Sequence, residues 1–140
     1  EHRKNFDTLN KLVGEDASIF GDWCLYQHGT VYDMLPDKMV CYDVYVPSKR
    51  SFVGGLEAIN LLRDAGFSTT KIITVDTFDS VETLYNLTLD TSNFSKSGQP
   101  IEGIVIKFNG ESYKMVSEQY VSNRYWSERQ GNLQPCWIKT

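Results

Sequence analysis

The order of strand and helix patterns along the 140 residues predicts an α+β fold with a mostly antiparallel sheet and flanking helices. Apolar and polar residues alternate, as in half-buried strands, from Ser18 to Gln27 and from Met39 to Val46. Two further strands, Ile101 to Phe108 and Ser112 to Ser117, flank Asn109-Gly110, a dipeptide typical of tight hairpin turns.

Two helices are predicted from apolar residues at helical spacing. The first covers residues 6–13 and ends at Gly14. The second begins at Gly54-Gly55 and ends at Gly66. The apolar residues at this spacing are Phe6, Leu9, Leu12 and Val13 in the first helix and Leu56, Ile59, Leu62 and Ala65 in the second.

The middle of the chain predicts a strand, a third helix and a loop. Residues 71–75 are predicted to form a short strand. Asp79-Ser-Val-Glu82 fits a capping box, which predicts a helix over residues 80–89. The segment from Thr91 to Pro100 is rich in Ser, Asn and Gly and predicts a flexible loop.

Strand alternation predicts which side chains share a face. In the first strand it places Phe20 and Asp22 together. In the second strand it places Tyr42 on the face of Val44 and puts Asp43 on the opposite face.

Composition limits the class of protein. Apolar content of 41% suffices for one core, and a net charge of −4 argues against a general nucleic-acid coat protein while leaving room for a local basic pocket. Cys24, Cys41 and Cys136 form no CxxC pair, so neither a disulfide framework nor a zinc site is indicated. The sequence contains no signal peptide and no apolar run of membrane-spanning length, so we expect a cytoplasmic protein without a membrane partner.

Charges at the predicted second hairpin indicate a polar cleft. Glu102-Gly-Ile-Val-Ile-Lys107 has a carboxylate and an ammonium at the ends of an apolar strand, and Lys114 lies on the next strand. Desolvating such charges without partners costs several kcal/mol, roughly, so a ligand is expected to face them. Because Tyr113 and Met115 alternate to the other face, Lys114 is predicted to point alone into the cleft. A nucleotide phosphate with its bound metal is the ligand expected to match these charges.

At this point four ordered segments resemble motifs of the covalent nucleotidyltransferases, which are the RNA ligases, DNA ligases and mRNA capping enzymes. Phe20-Gly-Asp22-Trp resembles motif III, and Val40-Cys-Tyr42-Asp43-Val44-Tyr45 resembles motif IIIa. Glu102-Gly-Ile-Val-Ile-Lys107 resembles motif IV, and Tyr113-Lys114-Met-Val116 resembles motif V. The resemblance covers about residues 20–129 in the family's order.

Segments between and after these motifs are similar to one phage and bacterial group of ATP-dependent RNA ligase domains. They are Gln27-His28, Tyr32-Asp33-x-Leu35-Pro36-Asp37, Tyr120-Val121 and Trp126-Ser-x-Arg129. The resemblance implies the ligase and capping-enzyme catalytic fold, which is ATP-grasp-like, and a phage or bacterial type of protein.

The family implies a reaction in three steps that serves RNA repair. A Lys attacks the α-phosphate of ATP to form lysyl-AMP, AMP passes to an RNA 5′-phosphate, and a 3′-hydroxyl then displaces AMP to seal the strand. This chemistry calls for an unprotonated Lys, cations around the phosphates, and Mg²⁺ or Mn²⁺. The implied ligands are therefore ATP or AMP, a divalent metal, and RNA ends with a 5′-phosphate and a 3′-hydroxyl.

The resemblance implies two residues that contact the nucleoside and one that binds phosphate. Tyr42 matches the aromatic residue that stacks on adenine; without the resemblance it would be interpreted as a core tyrosine. Asp22 matches the acid that contacts the ribose and is one methylene shorter than the usual Glu. Arg3 matches an Arg that binds phosphate after motif I. His28 lies in the linker match without an assigned role.

Three further residues are implied as catalytic and phosphate-binding groups. Glu102 matches the acid that works with the metal, the alternative being a salt bridge to a neighbouring Lys. Lys114 matches the cation on the α-phosphate. Lys107 closes motif IV and either approaches phosphate or is a solvated strand end.

The family's nucleophile motif, Lys-x-Asp-Gly, has no counterpart in the sequence. Lys107-Phe-Asn-Gly110 is similar only superficially and is interpreted as a hairpin turn. We therefore expect residues 1–140 to be one partial nucleotidyltransferase domain, from motif III to motif V, that cannot self-adenylate alone. A partial domain exposes strand edges, which predicts self-association.

Two alternatives remain open beside an ATP-dependent RNA ligase. One is a non-catalytic module that binds a nucleotide or an RNA end and keeps the pocket without the Lys. The other is a DNA ligase or capping guanylyltransferase with the same core, which a preference for ATP or GTP would distinguish.

Overall fold

The computed structural model describes residues 2–26, 32–96 and 98–120. These residues form two compact units. His28, Cys136 and the segment around Trp126 lie outside the described residues, as do the predictions made for them. Among the described residues, no helix is long and apolar enough to cross a membrane.

The first unit, drawn from Glu1–Trp23 and Met39–Thr74, contains a three-stranded antiparallel sheet. The strands are β1 (Ser18–Trp23), β2 (Met39–Val46) and β3 (Ser51–Phe52), and β2 lies in the middle. The predicted bounds of β2 are confirmed, whereas β1 ends at Trp23 rather than at the predicted Gln27.

Two helices cover one face of this sheet. They are α1 (Arg3–Val13) and α2 (Gly55–Asp64). The stop at Gly14 is confirmed, since Gly14 adopts φ 85° and donates its N–H to the Asn10 carbonyl at 2.8 Å. Of the predicted apolar face of α2, Leu56 remains 51% exposed. The buried side chains that join the helices to the sheet are Leu9, Cys41, Val44, Ala58, Leu62, Ala65 and Phe67.

The pairing of β1 with β2 contains a β-bulge at Tyr42. Phe20 lies opposite Asp43, and the next residue, Gly21, lies opposite Cys41. Tyr42 is therefore an extra residue in β2 that faces no residue of β1.

The bulge shifts the alternation of β2 by one residue. Cys41 and Val44 both belong to the buried core, although they are three residues apart. The prediction that Tyr42 shares the face of Val44 is therefore wrong. Simple alternation cannot anticipate an inserted residue, because the insertion depends on how the partner strand pairs.

The second unit, drawn from Cys24–Lys38 and Val75–Thr140, contains a helix followed by a hairpin. The helix α3 covers Val81–Asn86, and a single 3₁₀ turn, Leu87–Leu89, follows it. The predicted helix of residues 80–89 is therefore confirmed only in part. Its cap is Ser80 rather than Asp79, because the Ser80 hydroxyl accepts the Thr83 N–H at 3.2 Å.

The predicted hairpin is confirmed. Strands β4 (Gly103–Phe108) and β5 (Glu111–Val116) pair antiparallel around Asn109 and Gly110. Both turn residues have positive φ, 49° and 77°, as a type I′ turn requires. With the first sheet, this makes the α+β class with antiparallel sheets a correct prediction.

The predicted strand at residues 71–75 is not formed. The residues just before this segment form backbone hydrogen bonds with β2. Cys41 donates its N–H to the Ser68 carbonyl at 2.8 Å, and the Cys41 carbonyl accepts the Thr70 N–H at 3.2 Å. Residues 71–75 follow this contact, have no regular secondary structure and are mostly exposed. An apolar, β-branched composition alone does not supply a strand partner.

Candidate functional site

Tyr42 and Asp22 lie on the face of the first sheet opposite its two helices, named here the open face. Ile19 packs against the helix-covered core, so Phe20 and Asp22 alternate to the opposite face, as predicted. Partial burial raises the pKa of Tyr42, and the carboxylates of Asp22 and Asp43 raise it further. Asp43 lies opposite Phe20 and therefore on the same face, directly after the bulge residue Tyr42.

A close backbone approach fixes the bulge that presents Tyr42. A Cβ on Gly21 would lie 2.6 Å from the Val40 carbonyl oxygen and 3.0 Å from the Cys41 Cα. Both atoms are backbone, so they cannot move aside without breaking the pairing. Glycine at this position therefore lets β1 approach the bulged part of β2 closely.

Three aromatic rings extend the same face beside Tyr42, which sequence reasoning missed. The Phe52 ring lies 5.3 Å from the Phe20 ring and 5.2 Å from the Tyr45 ring, centroid to centroid. The pairing of Tyr45 with Phe52 across β2 and β3 creates this cluster. The signal was present in the alternation of aromatic residues on β1 and β2, but the partner on β3 follows only from the turn geometry.

Lys107 and Lys114 lie on one exposed face of the β4–β5 hairpin. Lys114 is opposite Val105, and Lys107 is opposite Ser112, so the two lysines occupy diagonal positions on that face. The Lys107 ammonium donates to the Ser112 hydroxyl at 2.7 Å. Tyr113 lies on the other face, as predicted, but Lys114 is not alone, since Lys107 accompanies it.

Glu102 immediately precedes β4 and is held at both its backbone and its side chain. Its carbonyl accepts the Ser117 N–H at 2.9 Å. Its carboxylate accepts a hydrogen bond from the Tyr32 hydroxyl. Glu102 is half-buried, and the next residue, Gly103, has no room for a side chain, because a Cβ would lie 2.2 Å from the Met115 carbonyl oxygen.

The contact of Tyr32 with Glu102 joins two segments that are 70 residues apart. Tyr32 was noted only as part of a linker motif, and nothing in the spacing of that motif indicates a partner near β4. The available signal was the motif itself, in which Tyr32 and Asp33 form hydrogen bonds and Leu35 is buried.

The structure does not bring Arg3 to Asp22 and Tyr42. Arg3 is exposed in the first turn of α1, a helix that packs on the core face of the sheet, whereas Asp22 and Tyr42 lie on the open face. Its role as a phosphate-binding residue stays a prediction.

The donor set suits a divalent metal only if other ligands complete it. Among residues 2–26, 32–96 and 98–120, no group of three or more His, Cys, Asp or Glu side chains is placed to hold a metal ion. Mg²⁺ is commonly bound by one or two carboxylates, with waters and substrate phosphates filling its remaining positions. Glu102, as a single positioned carboxylate, fits that mode and not an all-protein cage.

Comparison with known proteins gives one match that covers most of the chain. A family model described as RNA ligase matches residues 1–121. No curated protein and no solved structure gives a significant match.

Proposed function

Because the chain belongs to the RNA ligase family, we propose that it binds ATP and takes part in adenylyl transfer to RNA 5′-phosphate ends. The observation that carries the proposal is that Tyr42, on a bulge of β2, and Asp22, opposite Val40 of the same strand, lie on the sheet face away from the helices. An aromatic ring beside a carboxylate is suited to a nucleoside, because a base stacks on the ring and ribose hydroxyls donate to the carboxylate.

On this proposal Tyr42 stacks on adenine and Asp22 accepts from the ribose. The pKa of Tyr42 is raised above an ordinary value of 10.0, so the hydroxyl is protonated and the ring neutral at physiological pH. The shorter Asp22 reaches less far than a Glu would, and its position opposite Val40, next to the bulge, brings it near Tyr42.

The hairpin residues are assigned to the phosphates. Lys114 and Lys107 supply two positive charges on one exposed face, which offset the charge that develops on phosphate oxygens. Glu102 is proposed to contact Mg²⁺ or Mn²⁺, which when bound neutralises phosphate charge and orients the phosphate groups.

The proposed reaction uses one nucleophilic Lys, which first binds AMP covalently and is then released. A Lys–phosphorus bond forms at the α-phosphate of ATP as pyrophosphate leaves. The RNA 5′-phosphate then takes AMP and frees the Lys, and a 3′-hydroxyl forms the phosphodiester as AMP departs. The Lys is not assigned to a residue, because the sequence contains no Lys-x-Asp-Gly motif.

The same missing motif favours one alternative: a module that binds a nucleotide or an RNA end without catalysis. Its binding groups are the same, so mutation of the pocket does not separate the two. A DNA ligase or capping-type relative is distinguished by base preference, since the capping reaction uses GTP.

The proposal is tested by titrating this chain with ATP and with GTP, then recording its intact mass after incubation with ATP and Mg²⁺ or Mn²⁺. A lower dissociation constant for ATP than for GTP supports the proposal. A mass gain of one AMP would establish a nucleophile within this chain, and binding without a mass gain would favour the binding module. No detectable ATP binding would overturn the pocket assignment.

A further inference from the structure

A tyrosine outside the residues assigned so far contacts the acid proposed to meet the metal. The Tyr32 hydroxyl donates to one carboxylate oxygen, Oε1, of Glu102. Its ring packs edge-on against Phe94, with centroids 6.3 Å apart and planes at 78°. The hydroxyl direction is therefore fixed by a contact at each end of the side chain.

The segment that follows Tyr32 is fastened to the loop that contains Phe94. The Asp33 and Met34 N–H groups both donate to the Phe94 carbonyl, at 3.0 and 2.9 Å. The Asp33 carboxylate accepts the Lys96 N–H at 2.8 Å, and Leu35 is fully buried. Each of these contacts restricts the backbone on which Tyr32 is carried.

The backbone of Glu102 is restrained by hydrogen bonds from Ser117. Ser117 donates its N–H to the Glu102 carbonyl at 2.9 Å, and its buried hydroxyl donates to the Ile101 carbonyl at 2.9 Å. The main chain at Glu102 is thus set by the end of β5, and Tyr32 sets the side chain. A glutamate otherwise has several rotamers, which must be ordered before it can act as a ligand.

We propose that Tyr32 is a positioning residue for Glu102, which holds Oε1 and leaves Oε2 directed to a divalent cation. This inference rests on the proposed role of Glu102 at the phosphates of ATP. Residues that orient a metal ligand through a hydrogen bond typically change metal affinity by about 10–100-fold when they are removed. The linker motif thereby has a function of its own: it carries the tyrosine that orients the acid.

The test is Tyr32→Phe, which removes the hydroxyl and keeps the ring against Phe94. The quantity to measure is the ratio of the ATP dissociation constant in EDTA to that in Mn²⁺, which reports how much the cation strengthens binding. We expect the variant to lower this ratio by about tenfold and to leave the dissociation constant in EDTA unchanged.

The chain offers a matched control. The Tyr113 hydroxyl also donates to a glutamate, Glu111, which has no role in the proposed site. Tyr113→Phe therefore removes the same kind of hydrogen bond and should leave the ratio unchanged.

Glu102→Gln separates failure of this inference from failure of the proposed function. If Glu102→Gln abolishes the effect of Mn²⁺ while Tyr32→Phe has no effect, the positioning role is overturned and the metal role of Glu102 stands. If Glu102→Gln itself has no effect, the proposed role of Glu102 fails first.

Combining the two substitutions tests whether Tyr32 acts through Glu102. In the Glu102→Gln background, Tyr32→Phe should produce no further change in the ratio. If Tyr32→Phe instead weakens ATP binding in EDTA and lowers the melting temperature, Tyr32 supports only the fold, and the inference is overturned.

Discussion

Tyr42 is itself the extra residue of the bulge in β2, and simple strand alternation does not predict its position. Gly21 lies opposite Cys41 and Phe20 lies opposite Asp43, so Tyr42 faces no residue of β1. Its side chain is half-buried on the sheet face that also carries Asp22. A bulge redirects a side chain in this way at the position where it is inserted.

Replacing Tyr42 by Ala should weaken ATP binding by roughly 10–100-fold, since stacking of a base on an aromatic ring is worth about 1–3 kcal/mol. Tyr42→Phe should retain most of the affinity, because the ring is kept. Isothermal titration of both variants with ATP measures the difference. Equal affinities for the Ala variant and the unmodified protein would remove Tyr42 from the site.

Lys114→Ala should weaken ATP binding by about tenfold or more, because a charge-assisted hydrogen bond contributes roughly 1.5–3 kcal/mol. Lys71→Ala is the matched control, since Lys71 is an exposed lysine outside the strands. The same titration should give an unchanged affinity for the control. An unaltered affinity in Lys114→Ala would mean that the hairpin face does not meet the phosphates.

At the scale of elements, the β4–β5 hairpin depends on a glycine that leaves no space for a side chain. A Cβ on Gly103 would lie 2.2 Å from the Met115 carbonyl oxygen and 2.8 Å from the Val116 Cα. These are backbone atoms of the partner strand, so the strands must separate locally to admit a methyl group. Glu102 precedes this point and would move with it.

Gly103→Ala should lower the free energy of unfolding by about 1–3 kcal/mol, the usual range for overpacking. Gly54→Ala is the control, because a Cβ there would meet no atom within 4 Å and its φ is −55°. Urea denaturation of both variants compares them. A Gly103 variant as stable as the control would show that the hairpin adapts to the added methyl group.

The short 3₁₀ helix after β2, Pro47–Lys49, is tied to the end of α1 by one carboxylate. The Ser48 hydroxyl donates to Glu15, and the Ser48 N–H donates to the other carboxylate oxygen at 3.1 Å. These two hydrogen bonds, the hydroxyl's first, lower the pKa of Glu15 below its ordinary value of 4.5. The link is therefore present above pH 4.5 and is lost as pH falls through the lowered pKa.

Ser48→Ala should raise the pKa of Glu15 back toward 4.5, because it removes the largest cause of the shift. An NMR titration of the Glu15 carboxyl carbon between pH 2 and 7, roughly, measures the change. Ser51→Ala, on the exposed strand β3, should leave the Glu15 titration unaltered. If Ser48→Ala also leaves it unaltered, another group holds the carboxylate.

Elements with strong local signals were predictable from the sequence, and those that depend on distant partners were not. Gly14 indicates a helix end, and Asn109-Gly110 indicates a turn. Both adopt backbone conformations with positive φ that few other residues adopt. Residues 71–75 have strand composition, but they pair with no strand in the part of the chain that the structure describes. The motifs indicate which residues to propose for the site, and those roles stay predictions. The bulge at Tyr42 and the partner of Glu102 arise only when separate segments pair.

For the whole molecule, the net charge of −4 limits RNA binding to local basic surface. The hairpin face with Lys107 and Lys114 is such a surface. Association driven by a few phosphate contacts weakens with salt in proportion to their number. RNA ends are therefore expected to be recognised through few charges, with stacking and hydrogen bonds supplying the remaining affinity.

Self-association stays a prediction for the whole chain. In the described part of the chain, β4 and β5 form a two-stranded sheet, whose outer edges carry backbone groups suited to pairing with another copy. We expect sedimentation velocity to show a dimer fraction that rises with concentration. Val105→Lys, at an exposed strand position, should lower that fraction. A single monomer species at all concentrations would contradict the prediction.

The type I′ turn at Asn109-Gly110 also has a consequence for the order of folding. A hairpin closed by two residues forms in about 1–10 μs, because little chain entropy is lost on closure. Lys107 and Lys114 therefore become neighbours early and by local contacts alone. Asp22 and Tyr42 meet only after β1 and β2 pair across the intervening segment and around a bulge, a slower search. The two hairpin lysines are thus expected to become neighbours before Asp22 and Tyr42 do.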